Sequence, residues 1–310
     1  MKHNAKVVAA LVSLFFIAQL FGLFVVSQEI NVSVTPTGEY NVTYDETAIG
    51  PRPEVSGFES FLLVAVSILI GTGLILLFVK LGTVKLWKAM FFLAVFITIT
   101  VSLGVFISTT IAMIIAAGLA LLKVFKSNVY VHNLTEVLMY AGIALIFVPI
   151  FTIEWIIALL LVISVYDFYA VFKSKHMVSI AEFQTQSNVF AGLSIPYTIK
   201  TKTGKLKKKI KQTKTKAQTA VKEKVEVVEA ILGGGDIAFP LLFAGVVMEG
   251  LIRTGGLSKE IAFAKALIIP IVVTIFLIGL FMYGKKGKYY PAMPVLTAGS
   301  LLGYAIVLLI

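Results

Sequence analysis

Two aspartates stand out by type and place. Asp167 lies within the apolar run 152–172, and Asp236 follows Gly233-Gly234-Gly235 at the head of the run 234–252. A carboxylate inside an apolar span is expensive and marks function by default. Two carboxyl groups in one low-dielectric site cannot both ionise cheaply, so one keeps its proton. Such a pair suits hydrolysis of a carbonyl compound: the ionised member takes a proton from water, the water attacks, and the protonated member supports the developing oxyanion. Asp236, near a helix N-terminus whose dipole favours an anion, is assigned the charge, and Asp167 the proton. A coupled pair of this kind titrates as a unit.

The neighbouring residues point the same way. Three glycines cost stability at a helix start unless the backbone must bend or approach something closely, which marks Gly233 and Gly235 as site-shaping. Pro240 removes the hydrogen bond that would run to the Asp236 carbonyl. Tyr166 offers a hydroxyl beside Asp167, and Pro291-Ala292-Met293-Pro294 puts two prolines in the first turn of the last run, where missing N–H groups do little harm. Glu59, Glu154, Glu249 and Lys265 fall near outer helix ends, and Glu136 near an inner one. The expectation for these five is that they reach the interface, with Glu249 and Lys265 pairing across a turn. A pair of aspartates that merely pins two helices, and a cation or proton translocator using both as ion ligands, are the competing readings.

The elements that must carry these groups follow from composition. Of 310 residues, 58% are hydrophobic and 14% charged, against about 25% charged in a soluble domain. The apolar runs predict an all-α polytopic membrane protein of nine helices near 7–26, 58–79, 89–107, 109–125, 130–150, 152–172, 234–252, 261–283 and 289–309. Zero cysteines exclude thiolate metal sites and disulfides, and the three histidines, His3, His132 and His176, offer no zinc-binding spacing. No metal and no cofactor is expected.

The charges orient the chain. Placing the N-terminus inside puts 23 of the 27 basic residues on the inner side, while Glu29, Glu39, Asp45, Glu46 and Glu54 fall in the first outer loop. This is the positive-inside pattern, and nine crossings then leave Ile310 outside. Three parts result: 1–172 with the first six helices, a basic cytoplasmic loop 173–232, and 233–310 with the last three. The centre of the loop, Lys200 to Lys224, holds 11 lysines among Thr and Gln and reads as disordered, with Val225 to Leu232 extending the next helix inward. Without arginine or interleaved aromatics it reads as attraction to anionic headgroups, or as plain positive-inside topology, rather than as nucleic-acid binding. Asn31-Val32-Ser33 and Asn41-Val42-Thr43 are outward-facing glycosylation triplets that decide little. The sixth helix runs inward and the seventh outward, so Asp167, roughly 9 Å before Lys173 at 1.5 Å per residue, and Asp236 come to similar depth.

Tyr166-Asp167, the GxGD pattern Gly233-Gly234-Gly235-Asp236 and Pro291-Ala292-Met293, in this order on nine runs, resemble the presenilin and signal-peptide-peptidase family of intramembrane aspartyl proteases. The third motif departs from the family's Pro-Ala-Leu at Met293, a residue near leucine in size and more flexible. At 310 residues the chain is similar to the compact microbial members. The resemblance implies that Asp167 and Asp236 are catalytic and that Pro291, Ala292 and Met293 help to hold an unwound substrate. It further implies single-span membrane proteins as substrates, entering sideways from the bilayer, and a multi-pass location, the cell membrane in a microbe. The N-inside orientation is similar to presenilin's. A homo-oligomer is left open, and a prepilin-type peptidase, which shares GxGD, would cut outside the bilayer.

Overall fold

The computed structural model describes residues 5–35, 40–174, 183–184, 187, 189–202, 223–284 and 290–310. The helices fall where the apolar runs place them: α1 (Ala5–Glu29), α2 (Phe58–Leu81), α3 (Val84–Gly104), α4 (Thr109–Phe125), α5 (Val129–Phe147) and α6 (Ile153–Tyr169). Beyond the long loop come α7 (Gly234–Arg253), α8 in two segments (Lys259–Ala266 and Ile268–Tyr283), and α9 (Met293–Leu309). Pro270 explains the interruption of α8 at Leu267, because the N–H it lacks is the one that would have bonded the Ala266 carbonyl. Among the described residues, seven helices are long and apolar enough to cross a membrane, while α4 and α9 are apolar but shorter, 17 residues each.

The bundle has two cores. The larger joins α1, α5, α6, α7, α8 and α9, with Phe15, Ala18 and Leu23 of α1 fully buried at its centre. The smaller joins α3, α4 and one side of α5 around Trp87, Phe91 and Ile99, and Phe183 and Val189 from the loop after α6 pack into it. The helices α6, α7 and α9 touch one another pairwise, so the three sequence motifs share one region. By contrast α2 rests on α6 with only Ser60, Val64 and Phe78 buried.

Two strand pairs depart from the expected all-helical plan. Between α1 and α2, β1 (Ile30–Val34) pairs antiparallel with β2 (Tyr40–Tyr44). Alternating Asn-Val-Ser-Val and Tyr-Asn-Val-Thr-Tyr, separated by a segment containing Thr-Pro-Thr-Gly, carry that signal. In the loop between α6 and α7, β3 (Gly192–Lys202) pairs antiparallel with β4 (Glu223–Gly233), Gly192 facing Gly233. This corrects the reading of Val225 to Leu232 as an inward extension of the helix. The stretch Val-Glu-Val-Val at 225–228 is rich in β-branched residues, whose stiffness favours a strand over a helix. Of the stretch Lys200 to Lys224 expected to be disordered, 200–202 and 223–224 instead belong to these strands, and 203–222 lies outside the described residues.

The end of the bundle that carries the β1–β2 hairpin is pinned by a polar cluster. Tyr44 Oη donates to Glu249 Oε2 at 2.8 Å, while Arg253 donates to Glu249 Oε1 at 2.6 Å and to the Val42 carbonyl. The expected pairing of Glu249 with Lys265 is therefore corrected: Glu249 is buried, with Tyr44 and Arg253 as its partners. Burial, then the adjacent Glu249 carboxylate, push the Tyr44 phenol well above its ordinary value of 10.0. A raised phenol contributes stability that is complete below pH 10 and is lost only as pH climbs through the folded value. Tyr44→Phe should therefore cost about 1.5–3 kcal/mol, equally at pH 6 and pH 8. Thermal unfolding in detergent at both pH values checks this, and a loss confined to pH 8 would contradict it.

Candidate active site

Asp236 is positioned by the way α7 begins. Gly233 is the N-cap residue, with extended backbone at φ −63° and ψ 147°, and Asp236 is the third helical residue. A side chain at that position reaches back to the N-cap N–H, as in a capping box. The Asp236 carboxyl indeed accepts from the Gly233 N–H. Gly234 N donates to the Ala191 carbonyl at 3.2 Å, fastening the helix start to the residue before β3. One residue beyond Asp236, the Ile237 carbonyl accepts from Gln19 Nε2 of α1 at 2.8 Å. Pro240 leaves the Asp236 carbonyl without its helical donor.

Asp167 sits in the last turn of α6, where the helix gives way to the π-turn Ala170–Ser174. Its Oδ2 accepts from the Met293 N–H at 3.1 Å, and the Ala292 N–H is its second backbone donor. These are N–H groups at the start of α9, which have no partner within the helix and lie at the positive end of its dipole. Pro291, Ala292 and Met293 are all buried. One turn before Asp167, Ser164 Oγ and Thr297 Oγ1 are 2.7 Å apart and hold α6 to α9. The Tyr166 hydroxyl donates to Thr72 Oγ1 at 3.5 Å, linking α6 to α2. Asp167 and Asp236 lie within electrostatic reach of each other.

Glu136 departs most from expectation. It does not reach the interface: it is fully buried, paired at 2.5 Å with the equally buried Lys123 of α4. Its other oxygen accepts from the Tyr140 hydroxyl and, at 2.9 Å, from Gly192 N. His132 Nε2 meets the Gly192 carbonyl at 2.7 Å, and Asn133 takes both backbone groups of Ser194. A recurring polar face was legible in the sequence, since His132, Glu136 and Tyr140 follow at i, i+4 and i+8 on a largely apolar helix. What they meet belongs to a strand distant in sequence. Lys123, Tyr140, Asn133 and Gln19 therefore went unmarked. Among the described residues no group of three His, Cys, Asp or Glu is placed to hold a metal.

Two aspartates within electrostatic reach of each other, one at a GxGD helix start and one bonded to a proline-bounded helix start, suit an aspartyl protease set in a helical membrane bundle. A family model described as signal-peptide peptidase, presenilin aspartyl protease matches residues 12–310, and the chain belongs to that family. It is thus an aspartic endopeptidase and a multi-pass membrane protein. The chain is also similar in fold to a presenilin family intramembrane aspartate protease solved in two crystal forms. The C222 structure gives a TM-score of 0.59 at 16% identity, covering 96% of this chain and 95% of that one. The P2 structure gives 0.59 at 17%, covering 97% and 96%. No curated protein sequence matches the chain.

The Ser164–Thr297 contact is the simplest link between α6 and α9 to test. Thr297→Val should lower stability by about 1 kcal/mol, and adding Ser164→Ala should cost less than the sum of the two single changes. Thermal unfolding of the three variants measures this, and strict additivity would mean that the hydroxyls do not interact.

Proposed function

We propose that Asp167 and Asp236 are the catalytic pair of this protease and that it hydrolyses peptide bonds within single transmembrane helices. The observation that carries this is the hydrogen bond from Met293 N to Asp167 Oδ2, with Asp236 in electrostatic reach of the same carboxyl group. It joins the Tyr-Asp, GxGD and Pro-Ala-Met segments in a single arrangement suited to water activation.

The hydrogen bonds favour a division of labour opposite to that read from the helix dipole of α7 alone. Asp167 accepts two backbone N–H groups from the start of α9, against one for Asp236, so Asp167 is assigned the charge and Asp236 the proton. Asp167 takes a proton from water as its oxygen bonds to the scissile carbonyl carbon, and Asp236 gives its proton to the carbonyl oxygen. The resulting gem-diol collapses: one hydroxyl returns its proton to Asp236, the C–N bond breaks, and Asp167 passes the water-derived proton to the leaving nitrogen. Both carboxyl groups end as they began.

A peptide bond within an intact helix is hydrogen-bonded and covered, so the substrate must unwind. The inner hairpin offers an edge for it. On β3, α5 side chains occupy both backbone groups of Gly192 and of Ser194, and Pro196 has no donor. On β4, Glu229, Ile231 and Gly233 are exposed. An extended segment added along β4 leads directly to Asp236, with Gly233 and Gly235 keeping that approach open and Pro291, Ala292 and Met293 bounding its far side. The sparse packing of α2 over α6 supports sideways entry beside Asp167.

Nine crossings with the N-terminus in the cytoplasm complete the reading. The shortness of α9 fits it, because residues 290–291 lead in before the helix begins, with Ala292 as its N-cap residue beside Asp167. The expected partners are the bilayer and single-span proteins, with no nucleic acid.

Purified protein should cut a single-span reporter at a bond inside its apolar span. Asp167→Ala and Asp236→Ala should each lose about 10²–10⁴-fold or more in rate while unfolding at the wild-type temperature. Cleavage at equal rates by all three would contradict the assignment, and a cut at a basic–apolar junction outside the span would favour the prepilin-type alternative.

A further inference from the structure

Lys123 and Glu136 form a buried charged pair that the proposed catalytic steps do not use. An ion pair in an apolar interior is often no more stabilising than well-packed apolar residues of the same volume. Cohesion of α4 and α5 is therefore a weak reason for it. Its geometry indicates another.

One oxygen of Glu136 faces Lys123, and the other faces the groups that border the turn before Asp236. Oε1 takes Lys123 Nζ, which also donates to Thr135 Oγ1 at 3.1 Å and to the His132 carbonyl at 3.4 Å. Oε2 takes the Tyr140 hydroxyl and Gly192 N. Gly192 stands opposite Gly233 in the hairpin, and its neighbour Ala191 holds the Gly234 N–H. At Gly192 φ is +149°, and a Cβ there would run into the Leu232 carbonyl, so only glycine brings β3 this close to β4. The Tyr140 hydroxyl lies against Gly234, 2.9 Å from where a Cβ would stand. The glutamate thus grips the turn from both sides, by the strand that pairs with Gly233 and by the ring that abuts Gly234. Asp236 takes its own orientation from the Gly233 N–H in that turn.

We propose that Glu136, held by Lys123, is a positioning residue for Asp236, fixing the strand-to-helix turn Gly233–Gly235 through Gly192 N and the Tyr140 hydroxyl. This rests on Asp236 being catalytic. The groups suit that role, because a carboxylate is an acceptor only, and here it meets three donors on three elements. Glutamine would present an amide N–H₂ to one of those donors. Phenylalanine at 140 keeps the ring and removes the one hydroxyl that spans Glu136 and Gly234.

The test compares wild type, Glu136→Gln, Tyr140→Phe and Asp236→Ala in detergent. It reads reporter kcat and KM, thermal unfolding, and hydrogen exchange at the Gly192 and Gly234 amides. Tyr140→Phe and Glu136→Gln should lower kcat about 10- to 100-fold, with KM within about twofold of wild type. Exchange should quicken at Gly192 and Gly234 but not along α1 or α8, and the fall in kcat should persist well below the unfolding temperature of Tyr140→Phe, where that variant is fully folded. Wild-type kcat in both variants, or exchange that quickens throughout the bundle in step with lost activity, would overturn the proposal. Asp236→Ala separates the catalytic assignment from the positioning one. If it cuts normally, the catalytic assignment fails, whereas the exchange result reports on the grip of Glu136 independently.

Discussion

The controlling constraint is the need to keep two carboxyl groups in an interior that offers no bulk water to satisfy them. The surrounding structure answers it with backbone donors. Asp167 is served by the free N–H groups at the start of α9, and Asp236 by the N-cap N–H of its own helix. Both donor sets exist because a helix begins there, which requires two helices to start beside the site. Short, proline-bounded α9 and glycine-led α7 follow from that requirement. The same requirement places non-helical backbone, the β4 end and residues 290–291, on either side of the aspartates. Extended chain beside the site is also what an unwound substrate would need for pairing.

Much of this was legible in the sequence because the signals were local and strong. Helix starts and ends follow apolar runs, and Ser108, the Pro149 region and Pro291–Pro294 mark breaks that the structure keeps within a few residues. The two aspartates stood out for the same reason, as charges where the pattern forbids them. The direction of polarisation did not, because it depends on which helix start faces which carboxyl group. Reading the α7 dipole alone assigned the anion to Asp236, whereas α9 comes from the far end of the chain and supplies Asp167 with two donors.

The β3–β4 hairpin and the Glu136 network were hidden for a related reason. Val225 to Leu232 adjoins a helix and has few polar residues, so periodicity could not separate a strand from a helical extension. Its partner lies across the lysine-rich stretch 203–222. Glu136 looked like a side chain with an easy route to the interface because depth was judged along its own helix. Lys123 on α4 and Gly192 on β3 close that route and make it a buried acceptor. Glu249 repeats the lesson at the other end of the bundle, where Tyr44 of the β1–β2 hairpin replaces the expected lysine.

The central claim is that Asp167 and Asp236 act as one unit. Its most direct measurement is a double-mutant cycle on binding of a peptide whose scissile group is replaced by a hydroxyl-bearing isostere, which engages both carboxyl groups of such a pair. Wild type, Asp167→Asn, Asp236→Asn and the double variant would be compared by calorimetry in detergent. Each single change is expected to lose nearly as much affinity as both together, the non-additivity of groups that work jointly. Independent losses that sum to that of the double variant would mean that the two aspartates occupy separate sites.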